Sequence, residues 1–409
     1  MKRPELLSPA GNFEKMKSAI LYGADAVYLS GRIFGMRAAA DNFDLNELKE
    51  AVSYAHERGV KVYLTVNTMP REYEYDDLRK YFNDLKDIPV DALIIADIGV
   101  LMLAKEIIPE KEIHISTQAN AVSAAACRAW YELGAKRVVL ARELTLDEIK
   151  AIKANLPEGL EIECFIHGSM CISYSGRCLL SNHILNRDGN RGMCAQPCRW
   201  NFSVKRFEIS EEKRPETVIP IEEIGGESFI MSSRDTCTIE HIPELIEAGI
   251  DSFKIEGRMK SAYYTAVVTN TYKMAIDSYM SGEFSYDPAW YRELESVSHR
   301  DYATGYYYSD SHTDANTAET TGYLRDKAYL AVVVDYDEKT GLALMSQRNK
   351  MSKGESAELL SPGKVGRSLV IGELFDEVME PIDSTPHPYM QFYMKTPFEV
   401  KSGDILRGI

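Results

Sequence analysis

The sequence predicts an α/β protein: a (β/α)8 TIM-like barrel, a cysteine-rich insertion after its seventh strand, and a small C-terminal antiparallel β-barrel domain. Three observations predict it. A helix–glycine–strand pattern recurs as LYGADAVYLSG (21–31), HERGVKVYLTVN (56–67), LGAKRVVLARE (133–143), PEGLEIECFIHG (157–168) and EAGIDSFKIEGR (247–258). Five of the seven cysteines lie between 171 and 237. Beyond about residue 295 the helical pattern stops and short alternating β segments take over.

In chain order, ELLSP (5–9) reads as the first strand, with later strands near 26, 61, 92, 113, 137, 162 and 252. PVDALIIAD (89–97) fits the pattern with Pro in place of Gly, and EIHISTQAN (112–120) supplies the fifth strand. Each run is almost continuously apolar, as in parallel strands covered on both faces. The glycine before it suits a helix end, where the chain turns through the left-handed region. NFEKMKSAIL, DLNELKEAVSYAHE, LDEIKAIKAN and SAYYTAVVTNTYKMAIDSYM are helical segments between and after the strands. Eight such units match the arithmetic of a barrel. No GxGxxG follows a strand and no P-loop is present, so an open doubly wound sheet is the weaker alternative.

The barrel domain is expected over 1–295, with the cysteine-rich insertion at 169–240, at the mouth where barrel active sites lie. Within the insertion, WNFSVKRFEI and SFIMSSRD are expected to pair as a hairpin. SHRDYATGYYYSDSHTDANTAETTG is poor in aliphatic residues and reads as a linker over 296–320. The β domain follows over 321–409, with LAVVVDYDEKTGLALMSQRNK as two strands around a DEKTG turn.

Composition narrows the class. The 409 residues carry 47 Lys plus Arg against 62 Asp plus Glu, a net charge of −15, with 45% hydrophobic and 27% charged residues. These values exclude collagenous, coiled-coil and bulk-disordered chains, and a uniformly basic coat for nucleic acid. No stretch approaches the ~18 consecutive apolar residues of a membrane span. MKRPELLSPAGNFEKM lacks the apolar core of a secretory leader, so a cytoplasmic protein without membrane contact is expected. An odd cysteine count there argues against a disulfide framework.

The clustered cysteines carry the strongest chemical signal. Cys171 and Cys178 are seven apart, Cys194 and Cys198 four apart, and Cys237 follows later, in polar, glycine-containing sequence. Several thiolates converging on one point suit a soft metal or an iron–sulfur cluster. Zinc knuckles use C-x2–4-C pairs, which only Cys194–Cys198 approaches, so spacing leans towards a cluster with zinc as the alternative. Cys127 and Cys164 lie in helical and strand sequence and read as buried apolar residues.

ECFIHGSMCISYSGRCLLS (163–181) resembles the signature of the collagenase-like peptidase family of unknown catalytic type. Glu163, Phe165, Gly168, Ser169, Met170, Cys171, Gly176, Cys178, Leu180 and Ser181 fall on its pattern. LSPAGNFEKMKSAILYGADAVYLSG, NRDGNRGMCAQPCRW and IPELIEAGIDSFKIEGRMKS resemble it too. Despite the name, several members are iron–sulfur proteins that hydroxylate RNA bases or quinone precursors. The closest branch implies a [4Fe–4S] cluster and hydroxylation of the tRNA wobble uridine to 5-hydroxyuridine, with prephenate as oxygen donor. It also implies tRNA and a small dicarboxylate as partners, and leaves a partner subunit open. Carried over by position, the ligands are Cys171, Cys178, Cys194 and Cys198, with Cys237 as the alternative, since four thiolates fill a cubane.

Strand periodicity adds lumen candidates. Lys254 and Glu256 share one face of strand eight, and Glu163 and His167 one face of strand seven; these four are the candidate acid–base groups. Thr65 and Asn67 on strand three, and His114, Ser116, Gln118 and Asn120 along strand five and beyond, point the same way. The bland alternative is a mutually paired core layer, Lys254 with Glu163 or Glu256. Arg37, Arg258 and Lys260 near the mouth suit a carboxylate or phosphate. Segment 187–206 has five Lys or Arg against one Asp, and includes Arg199 and Trp200, a cation and a ring for an unpaired base. Two other functions compete. One is a peptidase with Cys171 paired to His167 or His183, although HExxH and GxSxG are both absent. The other is a metal-stabilised, non-catalytic scaffold for RNA or a partner.

Overall fold

The computed structural model describes residues 2–408 except 37–40, 175, 179, 186, 201–208, 212–213, 220–222, 225–226, 229–232, 283, 310–315, 317 and 319–322. All eight expected strands form: β1 (Glu5–Pro9), β2 (Ala26–Ser30), β3 (Lys61–Val66), β4 (Ala92–Ile95), β5 (Glu112–Ile115), β6 (Arg137–Val139), β7 (Glu161–Ser169) and β8 (Ser252–Ile255). Each lies parallel to its neighbour, and β8 closes the ring, with Lys254 opposite both Phe165 of β7 and Leu7 of β1. The glycines of the recurring pattern, Gly23, Gly59, Gly134, Gly159 and Gly249, all take positive φ.

Helices α1 (Phe13–Leu21), α2 (Leu45–His56), α3 (Tyr75–Asp84), α4 (Ile98–Ile107), α5 (Ala124–Glu132) and α6 (Leu146–Ala154) alternate with the first strands. Their starts are set locally: Asp44 with Glu47, and Thr145 with Glu148, form reciprocal caps of about 1 kcal/mol each. Alternation along each strand then divides the core. Leu6, Val27, Leu64 and Phe253 face the helices. Leu7, Tyr28, Tyr63 and Ile94 form a separate apolar cluster with Ala26 and Ala92. None of the described helices is long and apolar enough to cross a membrane.

The insertion leaves the end of β7 and contains α7 (Leu180–Leu185). Its last segment, Asp235–Cys237, pairs antiparallel with the overhanging end of β7 and parallel with Tyr302–Ala303. A buried Arg300–Asp235 ion pair at 2.6 Å fastens this strap. Arg300 also donates to the Met170 carbonyl at 3.3 Å, and Ser233 Oγ to the same oxygen at 2.6 Å, so the residue before Cys171 is held. The expected pairing of WNFSVKRFEI with SFIMSSRD falls partly on 201–208 and 229–232, outside the described residues. Their described ends pair elsewhere: Ile209 with Ile219, Ser228 with Glu223, Asp235 with Ser169. Short local hairpins close smaller loops at lower entropic cost.

Helices α8 (Ile242–Glu247), α9 (Ala262–Met280) and α10 (Pro288–Glu295) complete the barrel region. The C-terminal domain contains β9 (Tyr329–Asp337), β10 (Leu342–Gln347), β11 (Ser356–Leu360), β12 (Arg367–Val370), β13 (Leu374–Phe375), β14 (Pro381–Ile382), β15 (Gln391–Lys395) and β16 (Ile405–Gly408). They form one antiparallel sheet in the order β12-β11-β16-β9-β10-β15-β13-β14. It is the small antiparallel β domain expected, rolled into a half-barrel in which β12 and β14 end the sheet, and Pro381 removes a backbone donor from one of these ends.

Arg407 of β16 joins the two domains. It is buried and lies 2.6 Å from Glu293 of α10 and 2.6 Å from Glu358 of β11. Deleting one member of a buried ion cluster strands the others without a partner. Arg407→Ala is therefore expected to destabilise the chain by about 3–5 kcal/mol in chemical unfolding; a loss below about 1 kcal/mol would show that the cluster adds little.

Candidate active site

A charged layer fills the barrel beneath its mouth. Lys254 Nζ lies 2.7 Å from Glu163 Oε1, and Arg137 Nη1 lies 3.2 Å from Glu163 and 2.6 Å from Glu5. Burial pushes Glu163 up, but Lys254 and Arg137 outweigh it and hold the carboxyl below the usual carboxylate range. Burial likewise opposes the ionised Glu161, yet Arg137 and Lys2 draw it down to about 2. This is the paired layer that strand periodicity allowed. It orients the Lys254 ammonium, which also sits 4.5 Å from the Tyr28 ring centroid.

Above the layer, at the C-terminal ends of the strands, is a cavity of about 60 Å³. That is about two waters' share of liquid volume. Lys254, Glu256, Arg258, Asn67 and Gln118 line it, together with Arg142. Arg258 donates to Thr65 Oγ1 at 3.3 Å and to the Met36 carbonyl. The Tyr28 hydroxyl stands 3.1 Å from Glu256 Oε2. Asn67 accepts from Met36 N at 3.1 Å and donates to Ser116 Oγ at 3.2 Å, tying the loop after β2 to β5. Among the described residues, three cations and one carboxylate thus face a small polar space at the place where barrel enzymes react.

A second cavity, of about 90 Å³, is lined by Cys171, Cys178, Cys194 and Cys198. It shares Met36, Gln118 and Arg142 with the first. Close approach brings the insertion here: Gly176 has φ +73°, and a Cβ there would strike the Gln118 carbonyl. The Ala195 N–H donates to Ser181 Oγ at 3.1 Å, and the Gln196 N–H to Cys194 Sγ at 3.3 Å. The Cys171 thiol hydrogen-bonds Cys178, drawing Cys178 down towards thiolate, with the Ser173 hydroxyl and the Leu180 and Ser181 amides adding to the pull. That bond and burial push Cys171 up. All-sulfur donors suit an iron–sulfur cluster or zinc. Among the described residues, no three His, Cys, Asp or Glu side chains converge on a single ion.

Residues 11–317 match Peptidase family U32, and residues 325–407 match the Peptidase family U32 C-terminal domain. The chain belongs to peptidase family U32. The tRNA hydroxylation protein P1 of Bacillus subtilis is 37% identical over 420 residues, spanning 99% of this chain and 95% of that protein. A 23S rRNA 5-hydroxycytidine synthase of Escherichia coli is 38% identical across 68% of this chain and 40% of the relative. A collagenase of Porphyromonas gingivalis is 34% identical across 83% of this chain and 82% of its own length.

Of the other expected site residues of this U32 chain, those described do not line either cavity. His167 was expected to face the lumen, but its ring packs against Tyr272, Tyr302 and Tyr264, with centroids 5.4, 5.3 and 6.0 Å away. The cause is a register shift between Lys254 and Ile255, which sets His167 opposite Ile255 and breaks simple alternation. Cys237 is buried on the strap, where Tyr272 OH lies 3.8 Å from its sulfur, and burial pushes its thiol up to about 12. Asn120 adopts the left-handed conformation and keeps a buried side-chain oxygen without a partner. Lys260 donates to the Ser298 carbonyl at 2.8 Å. Trp200 is 37% exposed, with its indole N–H on the Ala195 carbonyl at 3.1 Å. Arg37 lies outside the described residues, as do the side chains of Arg199 and His183. Arg142 was missed by periodicity, because it lies just beyond the short β6; the signal was its place at the mouth end of that strand.

Buried His167 is held neutral: burial lowers its pKa from 6.5 to about 3. Between those values the unfolded chain binds a proton that the folded chain refuses, so this contribution is complete above pH 6.5 and is lost as pH falls towards 3. Each such group adds a slope of up to about 1.4 kcal/mol per pH unit. His167→Phe is expected to flatten the stability profile across that window; an unchanged slope in denaturant titrations would contradict the assignment.

Proposed function

We propose that this protein is an RNA-modifying enzyme that hydroxylates C5 of the wobble uridine of tRNA, using a [4Fe–4S] cluster on Cys171, Cys178, Cys194 and Cys198. The observation that carries the reading is the junction of two cavities: four cysteines line one, charged lumen residues line the other, and Met36, Gln118 and Arg142 belong to both. Two relatives named for hydroxylation of tRNA and of an rRNA base support RNA as the substrate. The sequence spacing supports a cluster over zinc: only Cys194 and Cys198 approach the C-x2–4-C pair of a zinc knuckle, and Cys171 and Cys178 are seven apart. When bound, the cluster supplies one-electron redox chemistry beside the lumen.

The chain's own groups then have separable tasks. Arg258 and Lys254 attract an anionic oxygen donor, for which the dicarboxylate prephenate is the candidate. Glu256, oriented by Tyr28, is the carboxylate in the cavity able to take up the proton displaced from the base. Glu163 acts as a positioning residue through Lys254. Tyr174 lines the cysteine cavity and is 47% exposed, and Trp200 follows the cavity residue Cys198 by two positions; both are rings on which an extruded base can stack.

The test joins nucleoside mass spectrometry with metal analysis. Deleting the gene should abolish 5-hydroxyuridine in tRNA, and the wild-type gene should restore it. Protein purified without oxygen should hold about four irons and four sulfides per chain. Cys171→Ser and Cys194→Ser should lose most of that iron and the modification, while Cys237→Ser should keep both. Unchanged 5-hydroxyuridine in the deletion strain would reject the function, and full iron in the Cys171 and Cys194 variants would reject the ligand set.

A further inference from the structure

Two of the buried polar atoms without a hydrogen-bond partner, Arg142 Nε and Ser169 Oγ, belong to residues lining the cysteine cavity. The Arg142 guanidinium is not loose. Its Nη1 donates to the Ser169 carbonyl at 3.0 Å, and its carbon lies 5.1 Å from the Phe165 ring centroid. One edge of the fork is therefore fixed while Nε–H has nothing to donate to. A buried donor left in this state costs about 1–3 kcal/mol, so an occupant that accepts from it is favoured. Arg142 is also the one cation among the described residues lining this cavity, and no carboxylate lines it. Four thiolates bring negative charge to a partly buried place, which is costly without a compensating cation. Hydrogen bonds to sulfur and local charge are the protein's means of setting a cluster's potential.

We infer that Arg142 and Ser169 are hydrogen-bond donors to the thiolate-held cluster, and that Arg142 raises its reduction potential while presenting the same guanidinium to the lumen cavity. The inference rests on the cluster reading above. Reduction adds one electron and one negative charge to the cluster, and the fixed cation stabilises that state. No other charge lining the cysteine cavity duplicates it among the described residues.

The experiment is a dithionite titration of the anaerobically prepared full-length protein, followed optically and by electron paramagnetic resonance, with iron and sulfide measured in each sample. Arg142→Gln should keep most of the iron and lower the reduction equilibrium by roughly tenfold, about 59 mV for one electron. Arg142→Lys, which retains charge but not the planar fork, should recover part of the shift. Ser169→Ala removes one hydroxyl and should move the potential in the same direction by a smaller amount. If Arg142→Gln does not assemble, the lysine and alanine variants carry the decision. Wild-type potentials in every assembled variant would overturn the inference and leave the cluster intact. A wild-type protein with no iron–sulfur signal would overturn the cluster reading, and this inference with it.

Discussion

A closed barrel with helices outside and side chains inside has no water for charge, so every ionised group in the lumen must find its counterpart there. The Arg137–Glu163–Lys254 chain meets that demand. Glu163 is fully buried between two cations; Arg137 also pairs with Glu5 and Glu161, and Lys254 carries its ammonium up to the cavity at the mouth. Replacing Glu163 by an apolar residue would leave both cations without their shared anion. The paired layer and the candidate site are therefore one arrangement: the layer below is satisfied so that the group above is held in place.

The insertion depends on a different constraint. A loop between β7 and β8 has no reason of its own to keep four thiols together. Here the strap at Asp235–Cys237 and the Arg300–Asp235 pair hold the end of β7, with the Met170 carbonyl taken by Ser233 and Arg300. Gly176 lets the loop press onto Gln118, and Ser181 ties α7 to the second cysteine pair. The cysteine cavity is thus built onto the barrel mouth rather than beside it, which is why three residues serve both spaces.

The U32 relatives carry names from two chemistries, RNA hydroxylation and proteolysis. The geometry bears on that choice. A thiol–imidazole pair would need a histidine at the cysteine cavity; His167 lies instead in an aromatic pack, with its ring 5.4 Å from that of Tyr272, and the side chain of His183 is outside the described residues. Among the described residues lining that cavity there is no histidine. Cations line the mouth cavity, and the exposed ring of Tyr174 lines the cysteine cavity that shares Arg142 with it.

Local rules were enough for much of this. The repeated glycine steps, the apolar runs and the caps at Asp44 and Thr145 act within a few residues, so the eight strands and their helices could be read directly. The grouping of cysteines was visible for the same reason, as was the pairing of Lys254 with Glu163, two strands that sequence order and barrel closure make neighbours. What separates Cys237 from the other four is not spacing but the strap, a contact between segments some seventy residues apart. The displacement of His167 comes from a one-residue register shift between β7 and β8, and Arg142 reaches the site only because β6 ends early beside the insertion. Such features depend on which strands meet and in what register, quantities set by long-range packing and not written in any local pattern.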